Sequence, residues 1–230
     1  MLFTTKVNFI SPRLYISNSE LEYVDVYKYL GVKIDKMLKF NEHIDSLKSK
    51  LARVVGISFS IGKLVDTSTA RLIYFSLAHS HIIYLISVWG HSGTTRLNEV
   101  QIQQNKIIRN LFKHRFPLLS TSELFVRCNL LKIKDIYTLE LGKLMFLTLN
   151  TVKYPLLNQH LDSLQWTHNY NSRKINVYRL PFARIRPDYN SFLFQAVKTW
   201  NDFPIQVRNT TSLYQFKTEL SRCLLSSVAL

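Results

Sequence analysis

The hydrophobic period of this chain changes at Asn41, and that change constrains the fold more than any other feature. Upstream, Leu14-Tyr15-Ile16 and the alternating region of Leu21, Tyr23, Val26, Tyr29 and Val32 are rich in aromatic and β-branched residues, punctuated by Ser-Pro and Asn-Ser pairs. That pattern predicts three or four short antiparallel strands, too few to stand as an independent sheet. Downstream, Asn41 is the expected N-cap and Glu42 suits the positive end of a helix dipole. Ile44, Leu47, Leu51, Val54, Val55 and Ile61 then recur at three- and four-residue steps, with Lys48, Lys50, Arg53 and Lys63 off the stripe. A second helix is expected from a Thr67 or Ser68 cap through Leu72, Phe75 and Ile82 to Trp89, stopped by Gly90. A third follows Gly93-Thr94-Thr95, with Val100, Ile107, Ile108 and Leu111 inward.

The rest of the chain continues in helices. Ser120-x-x-Glu123 and Ser212-x-x-Gln215 have capping-box spacing, and a longer helix is expected over about 135–150. Residues 151–188 lack sustained periodicity and form the segment expected to be least ordered. The fold class is therefore mainly α: a helical bundle, a small antiparallel β-sheet at the N-terminus and a C-terminal helical region, α+β overall. The boundaries that follow are strands over 1–35, a bundle over 36–116, a helical extension over 117–150, a connection over 151–188 and C-terminal helices over 189–230.

Charge narrows the function. Thirty basic residues against 15 acidic give +15, divided evenly as 16 and 8 over residues 1–116 and 14 and 7 over 117–230. The positive field thus belongs to the folded body and favours a polyanionic partner. Two distant cysteines, Cys128 and Cys223, point to a reducing compartment. His79-x-His81 has no second ligand pair nearby and reads as ordinary helix histidines. The apolar window Leu72–Trp89 is interrupted by Ser76, His79, Ser80, His81 and Ser87, so no membrane span is expected. Without a secretory leader pattern the chain is expected to be soluble and intracellular, cytoplasmic or nuclear.

No two acidic residues are adjacent, and no phosphate loop, nucleophile elbow or His-Glu-x-x-His helix occurs. The sequence offers no self-contained active site. Tyr29-Leu30-Gly31 by itself reads as a strand end with a bulge glycine. Trp89 and Trp200, at helix ends on apolar faces, read as core anchors.

An ordered series of motifs nevertheless carries a resemblance. Tyr29-Leu30-Gly31-Val32, Asp35, Leu38 and His43-Ile44 come first. Tyr74, Tyr84 and Trp89-Gly90 follow, then Gln101 through Arg109, and finally Ser191 to Phe203-Pro204 with Ala196, Trp200 and Asn201, closed by Phe216-Lys217. In this order they resemble the end of the palm, the thumb and the C-terminal region of reverse transcriptases from non-LTR (LINE-type, Jockey-like) retrotransposons, with Phe203 where that family usually has Leu. The resemblance implies a truncated fragment of an RNA-directed DNA polymerase that keeps primer–template-holding elements and lacks the catalytic Asp pair. Its partners would be an RNA template and a DNA primer. It implies no cofactor in this chain, magnesium belonging to the complete enzyme, and no catalytic activity of the chain alone. By resemblance Tyr29, Leu30 and Gly31 form the primer grip, with Lys33, Lys36 and Lys39 beside the duplex. Lys48, Lys50 and Arg53 would hold its backbone from the thumb, on the same side of the molecule as the grip. The rival expectations are a stand-alone, non-catalytic nucleic-acid-binding module and an unexpressed relic.

Overall fold

The computed structural model describes residues 12–151, 154–162, 164, 178–183 and 191–226. Two separate antiparallel hairpins open it: β1 (Tyr15–Ile16) with β2 (Ser19–Glu20), and β3 (Val26–Tyr29) with β4 (Val32–Asp35). The expected single rim of strands is thus two ribbons. The second meets the helices through β4, where Val32 is buried.

Helix α1 (Asn41–Ile61) buries His43, Ile44, Leu47, Leu51, Val54 and Ser58 along one stripe. Asn41 is its first helical residue and not its cap. Phe40 occupies the cap position at a left-handed φ of 56°, without a side-chain cap bond. The Asp35 carboxylate satisfies this approach instead: Oδ1 accepts from the Met37 and Lys39 amides at 3.0 and 3.1 Å, and Oδ2 from the Phe40 amide at 2.5 Å. Asn41 Oδ1 is then left to accept from Arg96 Nε at 3.1 Å.

The expected continuous second helix is broken into four pieces. After the Asp66 cap, which accepts from the Thr69 amide at 3.1 Å, come α2 (Thr67–Ile73), a π-helical stretch (Tyr74–His79), α3 (Ser80–Ile83) and α4 (Ile86–Trp89). Ala70, Tyr74, Ala78, Ile82 and Ile86 are buried at strict four-residue steps. In an uninterrupted α-helix such a row drifts around the axis by about 40° per step. The wider π turn, and the break at Tyr84-Leu85, keep the row facing the core. Leu72 and Phe75, on the path of the expected helix, are exposed.

Helix α5 (Thr94–Phe112) packs along α1 and closes the bundle. Asn110 Nδ2 donates to Val55 O and Ser58 Oγ, both at 3.1 Å. Beyond it lie α6 (Thr121–Arg127), with both bonds of the Ser120/Glu123 capping box formed, and α7 (Ile133–Asn150). Then come α8 (Pro155–Asp162), α9 (Phe192–Asp202), α10 (Ile205–Arg208) and α11 (Leu213–Ser226). α8 gives ordered helix to the start of the expected connection, most of whose other residues lie outside the described ones.

Helix α7 touches α3, α4 and α5 on one side and α8, α9 and α11 on the other. The buried residues accordingly form one contiguous cluster from Val32 to Leu220. Trp200 stacks on Phe216 with centroids 5.8 Å apart, and Phe203 and Phe146 complete that aromatic corner. Each fully buried large side chain of this kind contributes about 1.5–3 kcal/mol. Both Trp89 and Trp200 are core anchors, at 0% and 2% exposure. Among the described residues no helix is long and apolar enough to cross a membrane.

Candidate nucleic-acid interface

Tyr29-Leu30-Gly31-Val32 is a two-residue hairpin turn, not a strand end with a bulge. Tyr29 pairs with Val32 in register, and both central residues have positive φ, 45° at Leu30 and 82° at Gly31. A turn of this hand matches the twist of the flanking strands and normally takes Asn-Gly. Gly31 meets the requirement freely. Leu30 does not, at a cost of roughly 1–2 kcal/mol for a left-handed L-residue. Nor is that cost offset by burial of its side chain, which is 65% exposed. The carbonyl is the group held in place: Tyr84 Oη donates to Leu30 O at 2.6 Å. Tyr29 stands 59% exposed at the turn.

Below the turn, Lys28 and Lys33 lie directly opposite each other in register. Like charges so placed repel and are disfavoured in a purely structural hairpin. Lys33 reaches Glu42 of α1 at 3.7 Å. Lys36 pairs with Asp25 at 2.9 Å, and Lys39 is exposed on the loop that Asp35 organises.

The three cations of α1 divide. A step of about 100° per residue puts Lys50 and Arg53 roughly 60° apart, and Lys48 roughly 160° from Lys50. Lys48 turns toward α5 and donates to Glu99 at 2.6 Å and Asp45 at 3.3 Å, while Arg96 meets the same two carboxylates at 3.2 Å. Hydrogen bonding to Glu99 holds the Lys48 ammonium above the usual lysine range. Lys50 and Arg53 instead join Lys33 in lining a shallow groove of about 370 Å³ between β4 and α1, together with Glu42, Asp45, Ser46 and Ser49.

Two histidines lie within reach of these charges. Burial and then the charges of Lys50 and Lys33 keep His43 below its ordinary value. Burial and then Lys50 and Arg53 do the same to His81. Tyr84, His81, Ser46 and Ser49 carried no site role in the sequence. Of these only Tyr84 belonged to a recognised motif, and nothing local disclosed that its partner lay 54 residues away.

Other motif residues hold the fold. Gln104 is fully buried and donates to Tyr74 Oη at 2.7 Å and Leu131 O at 2.9 Å, while Gln101 Oε1 accepts from the Ile133 amide at the start of α7. Asn201 exchanges two bonds with the Tyr178 backbone, at 2.9 and 2.7 Å. A larger cavity of about 540 Å³, lined by Asp162, Tyr178, Trp200 and Arg208 among others, has no cationic excess. Among the described residues no three His, Cys, Asp or Glu side chains gather as a metal-binding group.

Comparison with known proteins supports the resemblance read from the motifs. The chain is 30% identical over 104 residues to an RNA-directed DNA polymerase from mobile element jockey of Drosophila funebris, covering 44% of this chain and 11% of that protein. It is 27% identical over the same length to the jockey polymerase of Drosophila melanogaster, again 44% and 11%. A probable RNA-directed DNA polymerase from transposon X-element of Drosophila melanogaster is 26% identical over 119 residues, 50% of this chain and 12% of that one. The matched part thus spans about a tenth of the length of these curated relatives. No family model matches the chain, and no solved structure matches it. The chain resembles a region of a LINE-type reverse transcriptase.

Proposed function

We propose that this chain is the primer–template-holding part of a Jockey-like reverse transcriptase, with the Tyr29-Leu30-Gly31 turn as the grip and the α1–α5 bundle as the thumb. One observation carries the reading: Lys33 from the hairpin and Lys50 and Arg53 from α1 line a single groove. A strand-borne and a helix-borne cation that share a groove can follow a nucleic-acid backbone that neither element could hold alone. Phosphate contacts of this kind fix register without reading sequence. The sequence holds no adjacent acidic pair, so the role proposed is to hold and orient a duplex whose chemistry is performed by other parts of the enzyme. Lys36 and Lys39 extend the positive rim. Lys48, spent on Glu99 and Asp45, acts on the duplex only through the position of α1.

The test is fluorescence anisotropy of a labelled RNA–DNA duplex at several salt concentrations. Affinity should fall steeply with salt, and the double variant Lys50→Ala/Arg53→Ala should lower the log–log slope by about 1.8, at 0.9 per phosphate contact. Binding that scarcely responds to salt would sink the proposal. Adding magnesium, nucleotides and a primed template to the chain alone should yield no extension. Salt-sensitive binding with equal affinity for primed and blunt duplexes would favour a general nucleic-acid-binding module, the reading that the +15 net charge supports by itself.

A further inference from the structure

We infer that Tyr84 is a positioning residue that locks the hairpin turn to the helical bundle, so that the turn and the Lys50/Arg53 groove act on one nucleic acid. The inference rests on the reading above. Tyr84 is the last residue before the helix breaks: its ψ is 111°, and Leu85 follows at a φ of 49°. The break frees the Tyr84 carbonyl from the helical ladder, and Trp89 Nε1 donates to it at 2.9 Å. Trp89 is fully buried, so the backbone of Tyr84 is pinned to the core. Its side chain runs the other way, half-exposed, and places its hydroxyl on Leu30 O at 2.6 Å. A Cβ on Gly31 would sit 3.5 Å from Tyr84 Cε1, so the ring also lies alongside the turn.

Two non-glycine residues thus adopt left-handed backbone, Leu30 at one end of this link and Leu85 next to the other. Neither conformation is favoured by its own sequence. Together they bring a carbonyl and a hydroxyl into contact across 54 residues. The β3–β4 ribbon is two-stranded, and such a ribbon is marginal alone. Val32 and the Lys33–Glu42 pair attach β4 to α1, but the tip of the turn is fixed by Tyr84.

The test compares the full chain with its Tyr84→Phe variant, which keeps the ring and removes the hydroxyl. Hydrogen exchange on the free protein is the first readout. Amides of residues 26–35 should exchange roughly fivefold faster, the loss of one hydrogen bond, while those of α5 and α7 are unchanged. Unaltered exchange in the hairpin overturns the link whether or not the chain binds nucleic acid. The second readout is the affinity ratio for a recessed-primer duplex over a blunt one of equal length. Tyr84→Phe should bring the ratio toward one and leave the salt slope as it was, since Lys50 and Arg53 are untouched. A merely structural role would lower both affinities together, and that result overturns the positioning role. If the unaltered chain binds no duplex, the holding function fails, and positioning on a duplex fails with it.

Discussion

Lys48 of α1 and Glu99 of α5 meet at 2.6 Å, and Arg96 shares the same carboxylate. The most tightly paired lysine of α1 therefore belongs to a helix–helix contact. Lys48→Ala should leave the salt slope of duplex binding nearly unchanged and lower the urea midpoint slightly, whereas Lys50→Ala/Arg53→Ala should do the reverse. Binding titrations and equilibrium denaturation of the same samples separate the two. A salt slope that falls as far for Lys48→Ala would return Lys48 to the duplex surface.

Acid should destabilise the protein through His79. Burial, reinforced by the positive charge of Lys143, lowers its pKa from 6.5 to about 4. The unfolded chain binds this proton more readily, so stability is fully present above pH 6.5 and is lost as pH falls toward 4. This one group should remove about 2 kcal/mol between pH 7 and pH 5. His43, His81 and His91 are displaced in the same direction and add to the slope. Urea midpoints at the two pH values should converge in a His79→Phe variant, and an unchanged gap would assign the acid sensitivity elsewhere.

Gly62, the residue that ends α1, lies close against the backbone of α5. A Cβ there would lie 2.1 Å from the carbonyl oxygen of Asn110 and 2.8 Å from that of Ser58. Both obstacles are backbone, so the end of α1 must shift away from α5 and from its own preceding turn. Gly62→Ala should cost about 1–3 kcal/mol by equilibrium unfolding. Gly56→Ala, with nothing within 4 Å, serves as the control and should stabilise α1 by about 0.5–1 kcal/mol.

Asn201 forms a two-way amide pair with Tyr178, copying a rung of a β-ladder with a side chain. Asn201→Asp keeps the acceptor for the Tyr178 amide and turns the donor into a second acceptor facing Tyr178 O. A loss of about 1–3 kcal/mol is expected, the cost of a half-buried carbonyl left opposite a carboxylate. A variant as stable as the parent would show that the pair contributes nothing.

The helices were legible because burial in them follows a simple period: Ile44, Leu47, Leu51 and Val54 recur at helical steps and are buried. The break at Tyr84-Leu85 and the π turn before it were not, because local propensity favours an unbroken helix and only the core row Ala70 to Ile86 requires otherwise. Asn41 displays the usual signature of a cap, yet Phe40 takes the cap position and Asp35, six residues before Asn41, holds the chain that leads into it. Leu30-Gly31 lacks the Asn that announces this turn. In the candidate site, the cations could be read from sequence but their partners could not. Lys48 is drawn off by Glu99, which is 51 residues away.

Helix α7 has buried residues on several sides, from Ile133 and Ile136 through Leu141 and Gly142 to Met145, Phe146 and Thr148. It is a shared wall, and neither the bundle before it nor the helices after it can close a core without it. Heat should therefore melt the protein in a single calorimetric step, with the van't Hoff enthalpy matching the measured one. Strain introduced at the Trp200 corner would then be felt at Trp89, and a duplex held at the turn would raise the melting point of the C-terminal helices as much as that of the hairpin that touches it.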